Sequence, residues 1–243
     1  MSLRSWSLSE RRNDPPVAGT AREGWPYVLG PGLLALLLWR WRPLAGLSML
    51  GLAASVAAFF RDPARSYPTD SDLLYAPADG TVIGVDTVDD PWFVGRRSHR
   101  ISIFLSLLDV HVNRSPVAGE IVAVREIGQG YAPAMHFERS HGNRRREVGI
   151  ATPRGPVLVV QVAGLLARRI VPWVRSGAFV HAGQKIGMIT FGSRTDLIVP
   201  IDLAEPFVTA GQRVAGGLTP VARWRSEAGG GTPVKEYVGA ARL

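Results

Sequence analysis

The sequence predicts a β-dominated α+β fold, a β domain preceded by apolar helices, and three observations predict it. From Leu74 onward, short Val- and Ile-rich runs alternate with Gly and Pro, the pattern of short strands joined by tight turns. Upstream, two apolar runs, Tyr27 to Trp39 and Pro43 to Phe60, are interrupted only by Arg40, Trp41 and Arg42. Beyond Arg61 helical periodicity is weak, which leaves strands as the main element of that stretch.

Residues 1–24 read as a polar leader, 25–60 as a membrane-associated helical hairpin and 61–243 as the main domain. A helix that spans a bilayer takes about 20 apolar residues, so the first run is short and the second marginal. A shallow hairpin fits better than two spans. The apolar region begins too late for a signal peptide and continues into a second segment, so export is not expected. Trp and Arg beside the runs favour membrane attachment, the competing reading being two buried core helices.

Within the main domain the candidate strands are 80–86, 100–107, 119–126, 147–152, 157–163, 185–191 and 197–201. A loose repeat runs through them. Ala76-Pro-Ala-Asp-Gly and Ser115-Pro-Val-Ala-Gly share a Pro-x-x-Gly turn leading into a strand, and Val180-His-Ala-Gly-Gln and Val208-Thr-Ala-Gly-Gln share another turn. Glycine there supplies positive φ. The pattern resembles the barrel-sandwich hybrid of lipoyl and biotinyl carrier domains. A carrier needs its lysine at a hairpin tip, whereas Lys185 opens an apolar run, so the architecture is expected without the carrier function.

Composition narrows the chemistry. With no cysteine, disulfides, thiolate catalysis and Cys-based zinc sites are excluded. Twenty-eight basic against 20 acidic residues give a net charge of +8, which attracts an anionic partner such as acidic lipid. Nucleic acid is not expected as that partner, because no recognition helix, finger or RNA-binding motif is present. His99, His136, His141 and His181 lack the spacing of a helical metal site and no acidic cluster accompanies them, so no metal is assigned.

The most informative segment is Gly183-Gln-Lys-Ile-Gly-Met-Ile-Thr-Phe-Gly-Ser-Arg-Thr-Asp. A Gly192–Ser193 bond in a tight turn at the end of a strand is a candidate for an N-to-O acyl shift, because glycine leaves its carbonyl unshielded from the serine hydroxyl. Taken alone, the dipeptide is equally an ordinary turn. Its company is specific: Phe60-Arg-Asp-Pro-Ala-Arg, Ala76-Pro-Ala-Asp-Gly, Asp109-Val-His-Val-Asn-Arg-Ser-Pro-Val-Ala-Gly, Gln161-Val-Ala-Gly-Leu-Leu-Ala-Arg-Arg-Ile and Phe191-Gly-Ser-Arg. In these stretches, across roughly residues 58–220, the chain resembles the phosphatidylserine decarboxylase family. Phe-Gly-Ser-Arg, where longer members have Leu-Gly-Ser-Thr, is similar to the compact prokaryotic subclass.

The resemblance implies a proenzyme that cleaves itself between Gly192 and Ser193. Ser193 becomes a covalent pyruvoyl group, and a β chain of residues 1–192 stays with an α chain of 193–243 as a heterodimer, any higher oligomer being left open. The pyruvoyl carbonyl then forms a Schiff base with phosphatidylserine and carbon dioxide leaves, giving phosphatidylethanolamine. It also implies a place on the cytoplasmic face of the cell membrane, peripheral or shallowly inserted. Two other readings keep less of this: a pyruvoyl decarboxylase of a free amino acid, and a non-catalytic membrane-tethered adaptor.

Serine is a weak nucleophile that needs a base, and His111 is the first choice because imidazole titrates near neutrality. Asp79 is the expected third member, orienting that histidine as in a triad, although Asp-Gly after proline also forms turns. Longer relatives carry a second histidine three residues on, where this chain has Arg114. A guanidinium cannot serve as a base but can hold a carboxylate or phosphate. Arg114 and Arg168 are therefore candidate headgroup contacts, and Arg139 to Glu147 reads as a basic loop near the mouth of the site.

Overall fold

The structure, a computed structural model, describes residues 19–90, 92–165, 169–189 and 192–226. These fall into two units divided between Ala64 and Arg65.

In the first unit β1 (Gly19–Thr20) pairs antiparallel with β2 (Arg61–Asp62), and between them lie helices α1 (Trp25–Trp39) and α2 (Pro43–Phe59). Each helix has proline in its first turn, where the missing N–H would have had no intrahelical partner. The two pack closely because Gly46 has no side chain: a Cβ there would stand 3.1 Å from the Ala35 carbonyl oxygen. Apolar side chains cover nearly all of both helices, and Leu36, Leu37, Trp41 and Leu44 are each at least 71% exposed. Among the described residues no helix is long and apolar enough to cross a membrane.

The second unit is all β among its described residues. Its largest sheet has eight antiparallel strands in the order β11 (Phe179–Val180), β7 (Gly119–Ile127), β8 (Arg145–Thr152), β9 (Gly155–Val162), β13 (Ser193–Pro200), β5 (Arg96–Leu105), β4 (Gly80–Asp90) and β15 (Arg213–Val214). A three-stranded sheet orders β10 (Ile170–Pro172), β12 (Lys185–Ile189) and β6 (Val112–Arg114), and another orders β14 (Ala204–Pro206), β16 (Pro220–Trp224) and β3 (Leu73–Tyr75).

The central strands are apolar on both faces, as strands covered on both sides must be. Leu197 and Val199 of β13 join Val157 and Val159 of β9 in the main core, while Ile198 meets Leu158 and Val160 in a second cluster with Phe93. This is the two-residue alternation of a strand whose two faces are both buried.

The repeated turns are built alike. Gly183 and Gly211 have φ of +77° and +94°, and the glutamine after each accepts a bond from the backbone three residues earlier: Gln184 from His181 N–H at 2.8 Å, Gln212 from Thr209 N–H at 2.7 Å. The strands opening at Gly119 and Gly80 receive β11 and β15, with Gly119 opposite Val180 and Gly80 opposite Val214.

The expected strands up to residue 189 coincide in substance with β4, β5, β7, β8, β9 and β12. The last differs. Sequence places its start at Leu197 and leaves Ser193 in a turn, but β13 begins at Ser193 itself. Within this buried run Arg194 pairs with Asp196 at 2.9 Å, so the two charges offset each other inside the strand.

Since Leu197 is fully buried at the centre of the large sheet, Leu197→Ala should cost about 2–5 kcal/mol. A calorimetric scan should show a melting temperature lower by roughly 2–4 °C per kcal/mol.

Candidate functional site

The Gly192–Ser193 junction lies where the chain leaves one sheet for another. β12 ends at Ile189 in a three-stranded sheet and β13 starts at Ser193 in the eight-stranded one. Gly192 turns the chain with φ of +63°, a conformation costly for any residue with a Cβ. Its carbonyl oxygen rests on Gly164, where a Cβ would stand 1.8 Å away. A bare Cα at position 164 is therefore required for that carbonyl to sit where it does.

Ser193 is fully buried, and its Oγ has no hydrogen-bond partner among the described residues. A buried hydroxyl left unpaired costs about 1–3 kcal/mol, so its presence at this junction calls for an explanation in chemistry.

His111 is fully buried and stands at the head of β6. Its carbonyl accepts the Ile189 N–H at 3.2 Å, which carries the β6–β12 ladder to within three residues of Gly192. Its Nδ1 donates to the Asp109 carbonyl at 2.8 Å, and this fixes the tautomer with the basic lone pair on Nε2.

Two residues further along each strand, side chains bridge the sheets. Asn113 Nδ2 donates to Thr195 Oγ1 at 3.2 Å, and Gln161 Nε2 donates to Asn113 Oδ1 at 2.7 Å. Gln161 stands directly opposite Thr195 in the β9–β13 pairing.

Asp79 has a different place from the one expected. Its carboxylate takes two bonds from Arg65, at 2.6 and 2.8 Å, and one from the Gly216 N–H at 2.8 Å. The contact that orients the histidine Nδ1 belongs to Asp109. Sequence reasoning had quoted Asp109 without assigning it a role; its signal was its position two residues before the histidine, where a backbone carbonyl can turn back on the ring.

The Asp109 carboxylate is itself tied down, by the Ser106 N–H at 2.8 Å, the Ser106 hydroxyl at 2.7 Å and Arg213 at 2.5 Å. Burial on its own would raise this carboxyl's pKa. The Ser106 hydroxyl, the Arg213 guanidinium and the Ser106 N–H outweigh that effect and hold it below the usual carboxylate value.

Arg114 is fully buried and donates to the Gly183 carbonyl at 3.0 Å, which ties its guanidinium to the Ala-Gly-Gln turn. Arg168 lies outside the described residues. The basic stretch is also mostly engaged internally. Arg144 pairs with Glu126 and Arg145 with Glu147, each at 3.0 Å, and buried Arg146 donates to the Val174 carbonyl at 2.8 Å. Arg139 and His141 do remain exposed.

Arg194, quoted in the sequence only as part of the Phe-Gly-Ser-Arg motif, locks the strand after the junction. Its Nη1 donates to the Ala134 carbonyl and to Ser140 Oγ, both at 2.9 Å, and its guanidinium lies 4.7 Å from the Phe137 ring centre.

Fold and geometry together define an antiparallel β domain with a buried serine at a crossover between sheets and a buried histidine whose carbonyl is bonded to the strand that leads into that crossover. The chain matches the family model for phosphatidylserine decarboxylase over residues 52–222. Proteins called phosphatidylserine decarboxylase proenzyme are similar to it along most of both chains. That of Symbiobacterium thermophilum is 45% identical, covering 84% of this chain and 94% of its own. That of Carboxydothermus hydrogenoformans is 41% identical, covering 83% and 95%, and that of Paraburkholderia phymatum 38% identical, again covering 83% and 95%. The chain belongs to the phosphatidylserine decarboxylase family.

Because the folded-state pKa of Asp109 is depressed, its contribution to stability is complete above the unfolded carboxylate value and is lost as pH falls through the folded value. Melting temperatures of the parent and of Asp109→Asn should therefore differ most at neutral pH. The two curves should converge below about pH 4.

Proposed function

We propose that the protein is a phosphatidylserine decarboxylase that makes its own pyruvoyl group from Ser193. The observation that carries this reading is a buried serine hydroxyl without a hydrogen-bond partner among the described residues, beside a glycine of positive φ. The residues suit the group: Gly192 and Gly164 leave the carbonyl approachable, and the buried strand that begins at Ser193 would hold the new chain end in place.

His111 Nε2 takes the Ser193 hydroxyl proton as Oγ adds to the Gly192 carbonyl carbon. The Gly192–Ser193 C–N bond breaks as the serine nitrogen gains a proton, leaving Gly192 esterified to Oγ. Loss of the Ser193 Cα proton expels the Gly192 carboxylate and leaves a dehydroalanine, which takes up water and releases ammonia. The resulting pyruvoyl group, at the head of residues 193–243, supplies an electron sink for decarboxylation of an amine substrate. His111 then returns a proton from Nε2 to the carbon that has lost carbon dioxide. Asp79 supports the site at one remove by fixing Arg65 and the turn at Gly216, while Asp109 aims the imidazole. The matched pair of Ala-Gly-Gln turns supports a barrel-sandwich arrangement of lipoyl type for the second unit.

The helical hairpin supports attachment to a lipid surface on the cytoplasmic face of the cell membrane. A helix of 15 residues rises about 22 Å, short of the roughly 30 Å hydrocarbon layer. Arg40 and Arg42 at the bend favour the headgroup level, where long basic side chains meet anionic lipid. The hairpin therefore lies shallow, with its leucines among the acyl chains.

Ser193→Ala should give one uncleaved chain that releases no carbon dioxide from phosphatidylserine in detergent micelles, and free serine should not replace the lipid for the parent protein. Two chains recovered from Ser193→Ala, on a denaturing gel and by mass spectrometry, would refute the assignment.

Replacing Leu36 and Leu44 together with glutamate should move the protein from pellet to supernatant when it is sedimented with vesicles containing anionic phospholipid. Unchanged sedimentation would exclude the hairpin as the anchor.

A further inference from the structure

The two residues proposed to react stand on different sheets, and hydrogen bonds along either sheet do not align them with each other. Something has to set the register of His111 against Ser193. On β13, Ser193 and Thr195 project from the same face, being two residues apart in one strand. On the other side, the β6–β12 ladder continues through the Ile189 N–H bond to the His111 carbonyl, so His111 and Asn113 also share a face.

The Asn113–Thr195 bond at 3.2 Å shows that these two faces meet. Two residues before Asn113 and two before Thr195 come His111 and Ser193, the pair proposed to react.

We infer that Asn113, braced by Gln161, is a positioning residue that fixes His111 opposite Ser193 through its bond to Thr195. The brace is specific. Asn113 spends its Nδ2 on Thr195 and its Oδ1 on Gln161 Nε2, at 2.7 Å, so its amide cannot rotate without losing both bonds. Gln161 in turn is opposite Thr195 in the adjacent strand. Three fully buried side chains from three strands and two sheets thus form one closed corner beside the junction. Gly187 makes room for it, since a Cβ there would stand 3.2 Å from Gln161 Nε2. Buried amides give such a corner a single arrangement, because each lost bond leaves a group unsatisfied in a dry interior.

This inference rests on the reading of Ser193 as nucleophile and His111 as base, and the test separates the two. The full-length chain is made by cell-free translation and its splitting is followed over time on denaturing gels. The chains compared are the parent, Asn113→Ala, Thr195→Val, the double variant, Thr195→Ser and Ser193→Ala. Each of the first four substitutions or pairs is also made in a Ser193→Ala background and its melting temperature measured, so that every comparison is between uncleaved chains.

Asn113→Ala and Thr195→Val should each slow splitting, by up to the order of 10²-fold that a displacement of about 1 Å can cause. The double variant should be no slower than the slower single, as expected when both remove one interaction. Thr195→Ser keeps the acceptor and should split at nearly the parent rate.

Splitting at the parent rate in both single variants would overturn the inference, as would a double variant whose slowing equals the product of the two singles. Slowing in every variant, Thr195→Ser included, in proportion to lost melting temperature would assign the effect to the fold and also overturn it. Splitting of Ser193→Ala would instead sink the underlying reading of the site.

Discussion

The fit of the Gly192 carbonyl against the bare Cα of Gly164 is the constraint on which the site depends. With 1.8 Å between that oxygen and the place of a Cβ, no other residue at 164 lets β9 end, the chain turn and β13 begin in this geometry. The two glycines answer different demands. Gly164 is needed for space, whereas Gly192 has open space around it and is needed for its φ of +63°. A peptide bond held this way, with a buried hydroxyl beside it, is a local conflict, and such conflicts concentrate where chemistry occurs.

The surrounding sheet makes the conflict tolerable. β13 is flanked by β9 and β5, all eight of its residues are buried, and its alternate side chains enter two separate apolar clusters. On the proposed scission, the strand's first residue becomes a chain end, yet the ladders from Arg194 onward to both neighbours keep all their atoms. Arg194 adds a second hold, reaching Ala134, Ser140 and Phe137 on a loop of the other chain. Two chains can then stay associated without a disulfide, because the cut falls at a strand's edge and not within its pairing.

The histidine is held at Nδ1 by a backbone carbonyl. The Asp109 carbonyl meets Nδ1, while the Asp109 side chain serves Ser106 and Arg213. One residue thus shapes the turn with its side chain and aims the imidazole with its main chain. Asp79 shows the converse: a carboxylate whose sequence position suits a triad is occupied by Arg65 and a backbone N–H. Arg114, a candidate headgroup contact in the sequence, is buried and bonded to the Gly183 carbonyl.

By itself the sequence determined the strand-rich domain, the apolar pair of helices and the repeated turns, and it singled out Gly192, Ser193 and His111 as the candidate site. These are written in local signals: two-residue alternation, Gly and Pro punctuation, and motif spacing within a few residues. Only the tertiary structure decided that Ser193 begins a buried strand, that Arg194 and Asp196 neutralise each other there, and that Asp79 and Arg114 are engaged elsewhere. It alone brought Asn113, Gln161 and Thr195 together. Those facts depend on which strands become neighbours, and pairing between residues 48 and 82 positions apart follows from burial of whole sheet faces, which no short window of sequence records.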